Sequence, residues 1–413
     1  MSIYLIATLD TKGAEAALIR DRLVQLGLAV TLVDAGALGD PTVRADVLRE
    51  EVFSAADCSL TELVAKNDRG MAISAAATGA QRIVSQAYAA GQVDGVVGLG
   101  GSAGTTIGTQ AMRALPIGVP KLMISTLASG QVRSWVGDKD ILMLNSIVDI
   151  AGINRISRKI LLQAAAAMAG MVEHRTAEKR ADSEADKPLI AATMFGVTTP
   201  CVQRARQVLE QAGYEVLVFH ATGNGGQAME SLINDGLICG VLDITTTELA
   251  DELVGGILTA GPDRLTAAGR RGIPQVVSVG ALDMVNFGPR ATVPRKFAER
   301  KFYQHNASVT LMRTTEGECS RLGEEIGQKI SAAKGPATIL LPLQGVSAID
   351  RTGQPFDDPI AREAIFAGIR SSAGNAEIVE LDAHINDESF AVAAAERLLQ
   401  MLAVRSSGDA CKR

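Results

Sequence analysis

The stretch that most limits how this chain can fold runs from Gly95 to Leu115. Gly95–Leu99 (GVVGL) is an apolar run of strand length without polar alternation, as expected of a parallel strand buried on both faces. Gly100, Gly101, Ser102, Ala103, Gly104, Thr105 and Thr106 follow, and Ile107 to Leu115 is helix-compatible. A strand that enters a helix through a glycine turn brings bare N–H groups and the positive end of a helix dipole to one point. Glycines let a ligand approach the backbone, and Ser102, Thr105 and Thr106 add hydroxyls. The residues alone leave two readings, a phosphate or carboxylate cradle and a βα turn without a ligand.

The same pattern recurs along the chain. Ile3–Thr8 reads as a strand, Leu9–Gly13 as a polar loop, Ala14–Leu26 as a helix closed by Gly27, and Ala29–Asp34 as a second strand. Asp34, at a strand end, suits either a ribose hydroxyl or a solvated loop, but the first loop lacks the GxGxxG fingerprint of dinucleotide sites. An acidic insertion with a short helix near Val43–Glu51 spans Asp40–Lys66. A long alanine-rich helix covers Gly70–Ala90, strands are expected at Lys121–Ser125 and Asp140–Leu144, and a helix runs from Asn154 to Val172. Residues 173–187 (EHRTAEKRADSEADK) are nearly all polar with mixed charge and read as a solvated helical extension or linker.

Beyond it the pattern restarts. Strands are expected at Leu189–Thr193, Glu215–Phe219, Cys239–Leu242, Gln275–Ser278, Ala337–Leu341 and Ala376–Leu381. Helices separate them, and an irregular stretch covers Gly255–Arg300. Strand–helix alternation repeated in two halves places the chain in the α/β class, as two Rossmann-like doubly wound domains with mainly parallel sheets. The expected boundaries are 1–175, a linker over 176–187, a second domain over 188–405 and a frayed tail over 406–413.

Composition narrows the function classes. A net charge of −6 and a single Trp argue against a nucleic-acid partner, because phosphate-backbone binding needs a basic surface. The five cysteines are scattered without CxxC or metal-ligand spacing, as expected of reduced thiols in a cytoplasmic protein. The apolar run after Met1 lacks a basic leader and ends at Asp10, so it reads as a strand and not a signal peptide. No apolar stretch reaches membrane-spanning length, roughly 20 residues, so no membrane partner is expected.

Several loops carry groups suited to chemistry. A second glycine turn, His220-Ala221-Thr222-Gly223-Asn224-Gly225-Gly226, follows a strand, and Thr222, Gly223, Gly225 and Gly226 are candidate substrate contacts. Neither turn has the lysine of a Walker A motif, so neutralising charge must come from elsewhere. Lys12 is one candidate, and a magnesium ion on Asp10 or Asp149 is another. His220 could exchange a proton near neutral pH, and Asp243 and Asp283 join it as candidate catalytic groups. His305 suits an acid–base role and a structural hydrogen bond equally, and His384 lies in a turn where Asn386 or Asp387 would cap the final helix. Cys201, at an expected helix start, would have its thiol acidified by the helix N-terminus. Thr245 and Glu248 have capping-box spacing.

Long strings in both halves carry a family resemblance. Ala7–Gly13 (ATLDTKG), Gly98–Thr105 (GLGGSAGT) and Met143–Asn154 (MLNSIVDIAGIN) are in the first. Ala192–Cys201 (ATMFGVTTPC), Phe219–Gly226 (FHATGNGG), Leu242–Glu248 (LDITTTE), Pro342–Ser347 (PLQGVS) and His384–Asp387 (HIND) are in the second. The chain resembles the Tm-1-like ATP-binding proteins, the UPF0261 family, over essentially its whole length. The resemblance implies two Rossmann-like domains, ATP as ligand and a homodimer. With the loop argument it gives a cytoplasmic nucleotide-binding protein, with ATP and its Mg2+ over Asp10, Thr11, Lys12, Gly100, Gly101, Ser102, Ala103, Gly104, Thr105 and Thr106. Two alternatives stay open. One is a metabolic enzyme for a small anionic substrate, a sugar acid or keto acid, in an interdomain cleft. The other is a non-catalytic interaction module with a structural nucleotide.

Overall fold

The structure, a computed structural model, describes residues 2–66, 68–181 and 187–406. The chain divides between residues 184 and 185 into two compact units. The expected tail beyond Ser406, and the centre of the expected linker, lie outside the described residues.

The first unit runs β1 (Ser2–Ala7), α1 (Leu9–Gln25), β2 (Val30–Asp34), α2 (Arg49–Ala55), α3 (Leu60–Lys66), α4 (Arg69–Ala89), β3 (Val93–Gly100), α5 (Ser102–Arg113), β4 (Lys121–Ser125), α6 (Arg133–Val136), β5 (Leu142–Asn145) and α7 (Arg155–Ala181). Its strands form one parallel sheet in the order β2-β1-β3-β4-β5. Alternating side chains feed two cores. Tyr4, Ile6, Val96 and Met123 pack with residues of α4 and α5 on one face, and Ile3, Leu5, Val97 and Leu122 with α1 and α7 on the other. Burial on both faces explains why the strands read as unbroken apolar runs. Helix α5 lies close on β3 because Gly98 and Gly108 face each other: a Cβ on Gly98 would come 3.3 Å from the Gly108 Cα.

The second unit opens with β6 (Leu189–Met194), α8 (Thr199–Gln211), β7 (Glu215–His220), α9 (Asn224–Asn234), β8 (Gly240–Thr245), α10 (Thr247–Val254), α11 (Ala267–Arg271), β9 (Gln275–Gly280) and β10 (Met284–Phe287). It continues with β11 (Phe302–Asn306), β12 (Val309–Arg313), α12 (Glu316–Ser331), β13 (Ala337–Pro342), α13 (Pro359–Ser372), β14 (Glu377–Leu381) and α14 (Glu388–Ser406). Its main sheet is parallel, in the order β14-β13-β9-β8-β6-β7. The doubly wound expectation therefore holds in both units.

Three expectations need correction. Leu9–Gly13 is not a loop: α1 starts at Leu9, with a break in helical geometry at Lys12 (φ −127°, ψ 17°). Asp34 makes the early start possible, because its Oδ1 accepts from Leu9 N (3.0 Å) and Gly36 N (2.9 Å). Helix α7 runs past its expected end at Val172 to Ala181, in keeping with the helical-extension reading of residues 173–187. The irregular stretch and the residues after it hold an antiparallel sheet, β10-β12-β11, inserted after β9. Met284, Leu311, Tyr303 and Val309 of this flap pack with Phe195 and Val197 of the β6–α8 loop and with Ile349 and Phe356 after β13. The flap thus roofs part of the carboxyl end of the second sheet.

Candidate functional site

In an open parallel sheet, ligands bind beyond the carboxyl ends of the strands, where the strand order reverses. In the first unit that point lies between β1 and β3. A cavity of about 260 Å³ sits there. Thr8, Asp10, Thr11 and Lys12 line it from the β1–α1 junction, Gly100 to Gly104 from the β3–α5 junction, and Asp149 from the segment after β5. An apolar wall comes from Ala35, Ala37 and Leu38 after β2 and from Ala72, Ile73 and Ala76 of α4. The structure therefore brings together eight of the ten residues expected to hold a nucleotide.

The other two face elsewhere. Thr105 is fully buried, and its Oγ1 lies 2.8 Å from Gly101 O and 2.7 Å from Ser125 Oγ. Thr106 Oγ1 donates back to Ser102 O at 3.0 Å. Both hydroxyls serve the helix start and not the cavity.

Helix α5 has an open N-terminus. Gly101 is its N-cap and supplies no side chain, and the N–H of Thr105 is the one that returns to the Gly101 carbonyl (2.8 Å). The preceding N–H groups of the first turn, on Ser102, Ala103 and Gly104, are the unpaired donors that every helix start leaves. Gly100 and Gly104 are fixed by packing, since their Cβ atoms would come 2.9 Å from the Gly104 Cα and 2.7 Å from the Leu99 carbonyl oxygen. Gly101 has room, with Thr126 Oγ1 at 3.7 Å as the nearest atom to a Cβ.

Two cations reach the cavity. Lys12 sits at the break in α1, and Arg69 opens α4, whose N-cap Asp68 accepts from Met71 N. Neither side chain makes a hydrogen bond or ion pair among the described residues. Sequence reasoning named Lys12 and missed Arg69. Its only sequence signal was a basic residue just after a helix-capping aspartate, which is common on surfaces. Asp10 is held by its Oδ2, which accepts from Leu38 N (3.0 Å) and Gly39 N (3.3 Å), while its Oδ1 is buried without a partner among the described residues. Asp34, offered for a ribose, is buried as the cap of α1, and burial raises its carboxyl above the usual range.

The corresponding end of the second unit is filled by its own side chains. Arg264 is 1% exposed and donates to Asp243 through both terminal nitrogens (2.5 and 2.7 Å) and to Glu248 through Nε (2.6 Å). Glu230 stands 3.5 Å away, and Thr193 Oγ1 donates to Asp243 at 2.6 Å. Glu248 does not close a capping box with Thr245. Its Oε1 accepts from Gly223 N (2.7 Å) and Gly226 N (3.1 Å), and a Cβ on Gly226 would lie 2.3 Å from its Oε2. The second glycine turn already holds an anion, and that anion belongs to the chain. Thr222 points its hydroxyl at His220 O (3.3 Å), and Gly225 packs on the same carbonyl.

His220, Asp243 and Asp283 do not form one constellation. His220 is exposed at the end of edge strand β7, its ring edge-on to Phe195 at 5.4 Å. Asp243 belongs to the Arg264 cluster. Asp283 is fully buried at the root of the flap, where its Oδ2 accepts from Ser347 Oγ (2.8 Å) and its Oδ1 has no partner among the described residues. Burial, with Asp350 nearby and Arg313 opposing, pushes the Asp283 carboxyl up to about 7. His384 lies beside this group with both nitrogens engaged: Nε2 is 2.8 Å from Ser347 O, and Nδ1 accepts from Asn386 N at 3.1 Å. A carbonyl partner fixes the proton on Nε2, and burial lowers the imidazole pKa, so His384 is a neutral structural brace. His305 lies exposed on β11. Cys201 is fully buried, and burial pushes its thiol up to about 12, the reverse of the expected acidification.

Models of the two domains of one family cover nearly the whole chain. The UPF0261 N-terminal domain matches residues 1–177, and the C-terminal domain, likewise described as an uncharacterised protein family, matches residues 187–402. The chain belongs to the UPF0261 family. A UPF0261 protein of Clostridium tetani is 49% identical, covering 97% of this chain and 98% of its own length. The ToMV resistance protein Tm-1(GCR237) of Solanum lycopersicum is 45% identical, over 81% of this chain and 45% of the tomato protein. Among solved structures, the UDP-N-acetylglucosamine 2-epimerase of Rickettsia bellii aligns at 8% identity with a TM-score of 0.23, too low to support any argument about fold or ligand. No helix among the described residues is long and apolar enough to cross a membrane.

Proposed function

We propose that this UPF0261 protein is a nucleotide-binding protein whose first unit takes ATP in the cavity between β1 and β3. The observation that carries the reading is the division of that cavity. One side offers the open N-terminus of α5 with Lys12 and Arg69, and the other is a wall of Ala35, Ala37, Leu38, Ala72, Ile73 and Ala76. Phosphates suit the first side, since unpaired N–H groups, a helix dipole and two cations without a partner among the described residues all favour anions. A base suits the second. The volume, about 260 Å³, is a little below the ~300–1,000 Å³ of pockets that enclose drug-sized ligands, so part of the nucleotide would lie at the rim. No cluster of His, Cys, Asp and Glu that could hold a metal by itself occurs among the described residues. Magnesium would therefore arrive with the phosphates, with Asp10 and Asp149 as the carboxylates at hand.

Gly101→Val tests this. The position has steric room and extended backbone angles (φ −80°, ψ −152°), so the fold tolerates the side chain while the cradle is obstructed. Calorimetric titration with ATP and magnesium should show at least a tenfold loss of affinity with an unchanged circular dichroism spectrum. Equal affinity in the variant removes this turn from the site.

A further inference from the structure

The flap carries a charge opposite to that of the chain. Between residues 289 and 306 stand Arg290, Arg295, Lys296, Arg300 and Lys301 against the single acid Glu299, in a chain of net charge −6. Arg300 is bound to Glu318 at 2.6 Å. Arg290, Arg295, Lys296 and Lys301 are exposed and pair with no carboxylate among the described residues. Arg290 lies 3.6 Å over the Phe302 ring and Lys296 4.7 Å from the Phe297 centroid, so aromatic faces set the positions of two of the cations.

The same segment ends in an open sheet edge. β12 lies in the middle of the flap sheet, and of the two outer strands β10 is covered. Asn286 on β10 donates its N–H to Asp251 and accepts from Ile257 N. Among the described residues β11 is paired only with β12. Arg313 N donates to Lys301 O. In an antiparallel ladder alternate residues turn both backbone groups toward the partner, so Lys301 and Tyr303 face β12 while Phe302 and Gln304 present theirs outward. An extended chain can pair with such an edge, taking affinity from backbone bonds and specificity from side chains.

We propose that β11 and the cations beside it are a docking surface for an extended acidic peptide segment of a partner protein, which adds to the flap as a further strand and sets its carboxylates against Arg290, Arg295, Lys296 and Lys301. Two observations favour a peptide over a single-stranded nucleic acid. Of the aromatic rings that could stack bases, Phe297 is buried in the core, Phe302 already carries Arg290, and Tyr303 packs edge-on to the buried Phe356 at 6.4 Å. The chain as a whole also repels a long polyanion, whereas a short acidic strand meets only the local field.

The test uses the full chain and fluorescence anisotropy of a labelled peptide of alternating Glu and Val. A Lys–Val peptide and a single-stranded RNA of matched length serve as comparators. Arg295→Glu with Lys296→Glu removes two cations from an exposed turn. Gln304→Pro removes an outward N–H, a place where an edge strand accepts proline. The acidic peptide should bind, more weakly as salt rises, and each variant should weaken it about tenfold with an unchanged circular dichroism spectrum. The proposal is overturned if the Lys–Val peptide binds equally well, if RNA binds in place of the acidic peptide, or if neither folded variant changes its affinity.

Discussion

Replacing Arg264 with Met probes the most heavily charged part of the second unit. The guanidinium is fully buried and is the one cation among the described residues bonded to Asp243, Glu248 and Glu230, and it also donates to Thr245 O at 3.3 Å. Methionine fills much of the volume and supplies no charge. Removing one partner of a buried ion pair costs about 3–5 kcal/mol because the remaining charge stays desolvated. Asp243 and Glu248 lose short bonds here and Glu230 a longer one, so the upper part of that range is expected near pH 8. The sign of the pH dependence follows from Glu248. Burial already holds its carboxyl above the usual range, and Arg264 is the main opposing influence. Without it the folded-state pKa rises further above the unfolded one. The folded variant then takes up a proton that the unfolded chain does not, and its deficit shrinks as pH falls toward that of a free carboxyl. Urea denaturation of both proteins from pH 5 to pH 8, with hydrogen exchange of the β8 peptide as a local readout, measures this. A loss below about 1 kcal/mol at pH 8, or a deficit that grows on acidification, would refute the reasoning.

Other outcomes follow from the same structure. Lys12→Ala and Arg69→Ala should each weaken ATP binding several-fold in calorimetric titration and together about a hundredfold, with little change in unfolding midpoint, since neither side chain is paired among the described residues. Asp283 is raised to about 7, so its contribution to stability is full below about pH 4 and is lost as pH rises through 7. Asp283→Asn should flatten the decline of the urea midpoint between pH 4 and pH 8, recovering at most about 4 kcal/mol. The native protein should leave Cys201 unlabelled by a thiol reagent at neutral pH, with labelling only after denaturation. Calorimetry should give one ATP per chain, because Glu248 already occupies the second glycine turn.

Much of the fold was legible because parallel strands buried on both faces leave unbroken apolar runs. β4 falls on the expected Lys121–Ser125, and β1, β6 and β13 lie within a residue or two of expectation. The flap strands were not legible. They are four or five residues long, and β11 is polar and exposed from Gln304 on and bulged between Gln304 and Asn306. Their pairing depends on a partner strand and not on local pattern. At the cavity, the glycine turn and Lys12 could be read from chain order, because both follow strands at the point where the sheet reverses. Arg69 could not, since only the crossover brings α4 to the same mouth. The second glycine turn shows the limit of motif reasoning. The feature that marks an anion cradle is present, and the anion it holds is a glutamate more than twenty residues further along.

That difference between the two turns sets what each half of the molecule responds to. A cradle filled by its own carboxylate has a fixed occupancy, so the stability it confers is written into the chain. The open turn of α5 is subject to mass action. A ligand held there at a hundred times its dissociation constant would add about 2.7 kcal/mol to the stability of the first unit, and its depletion would take that away. One half of the protein would then report the concentration of its ligand through its own resistance to unfolding, while the filled turn of the other half would add the same resistance at any ligand concentration.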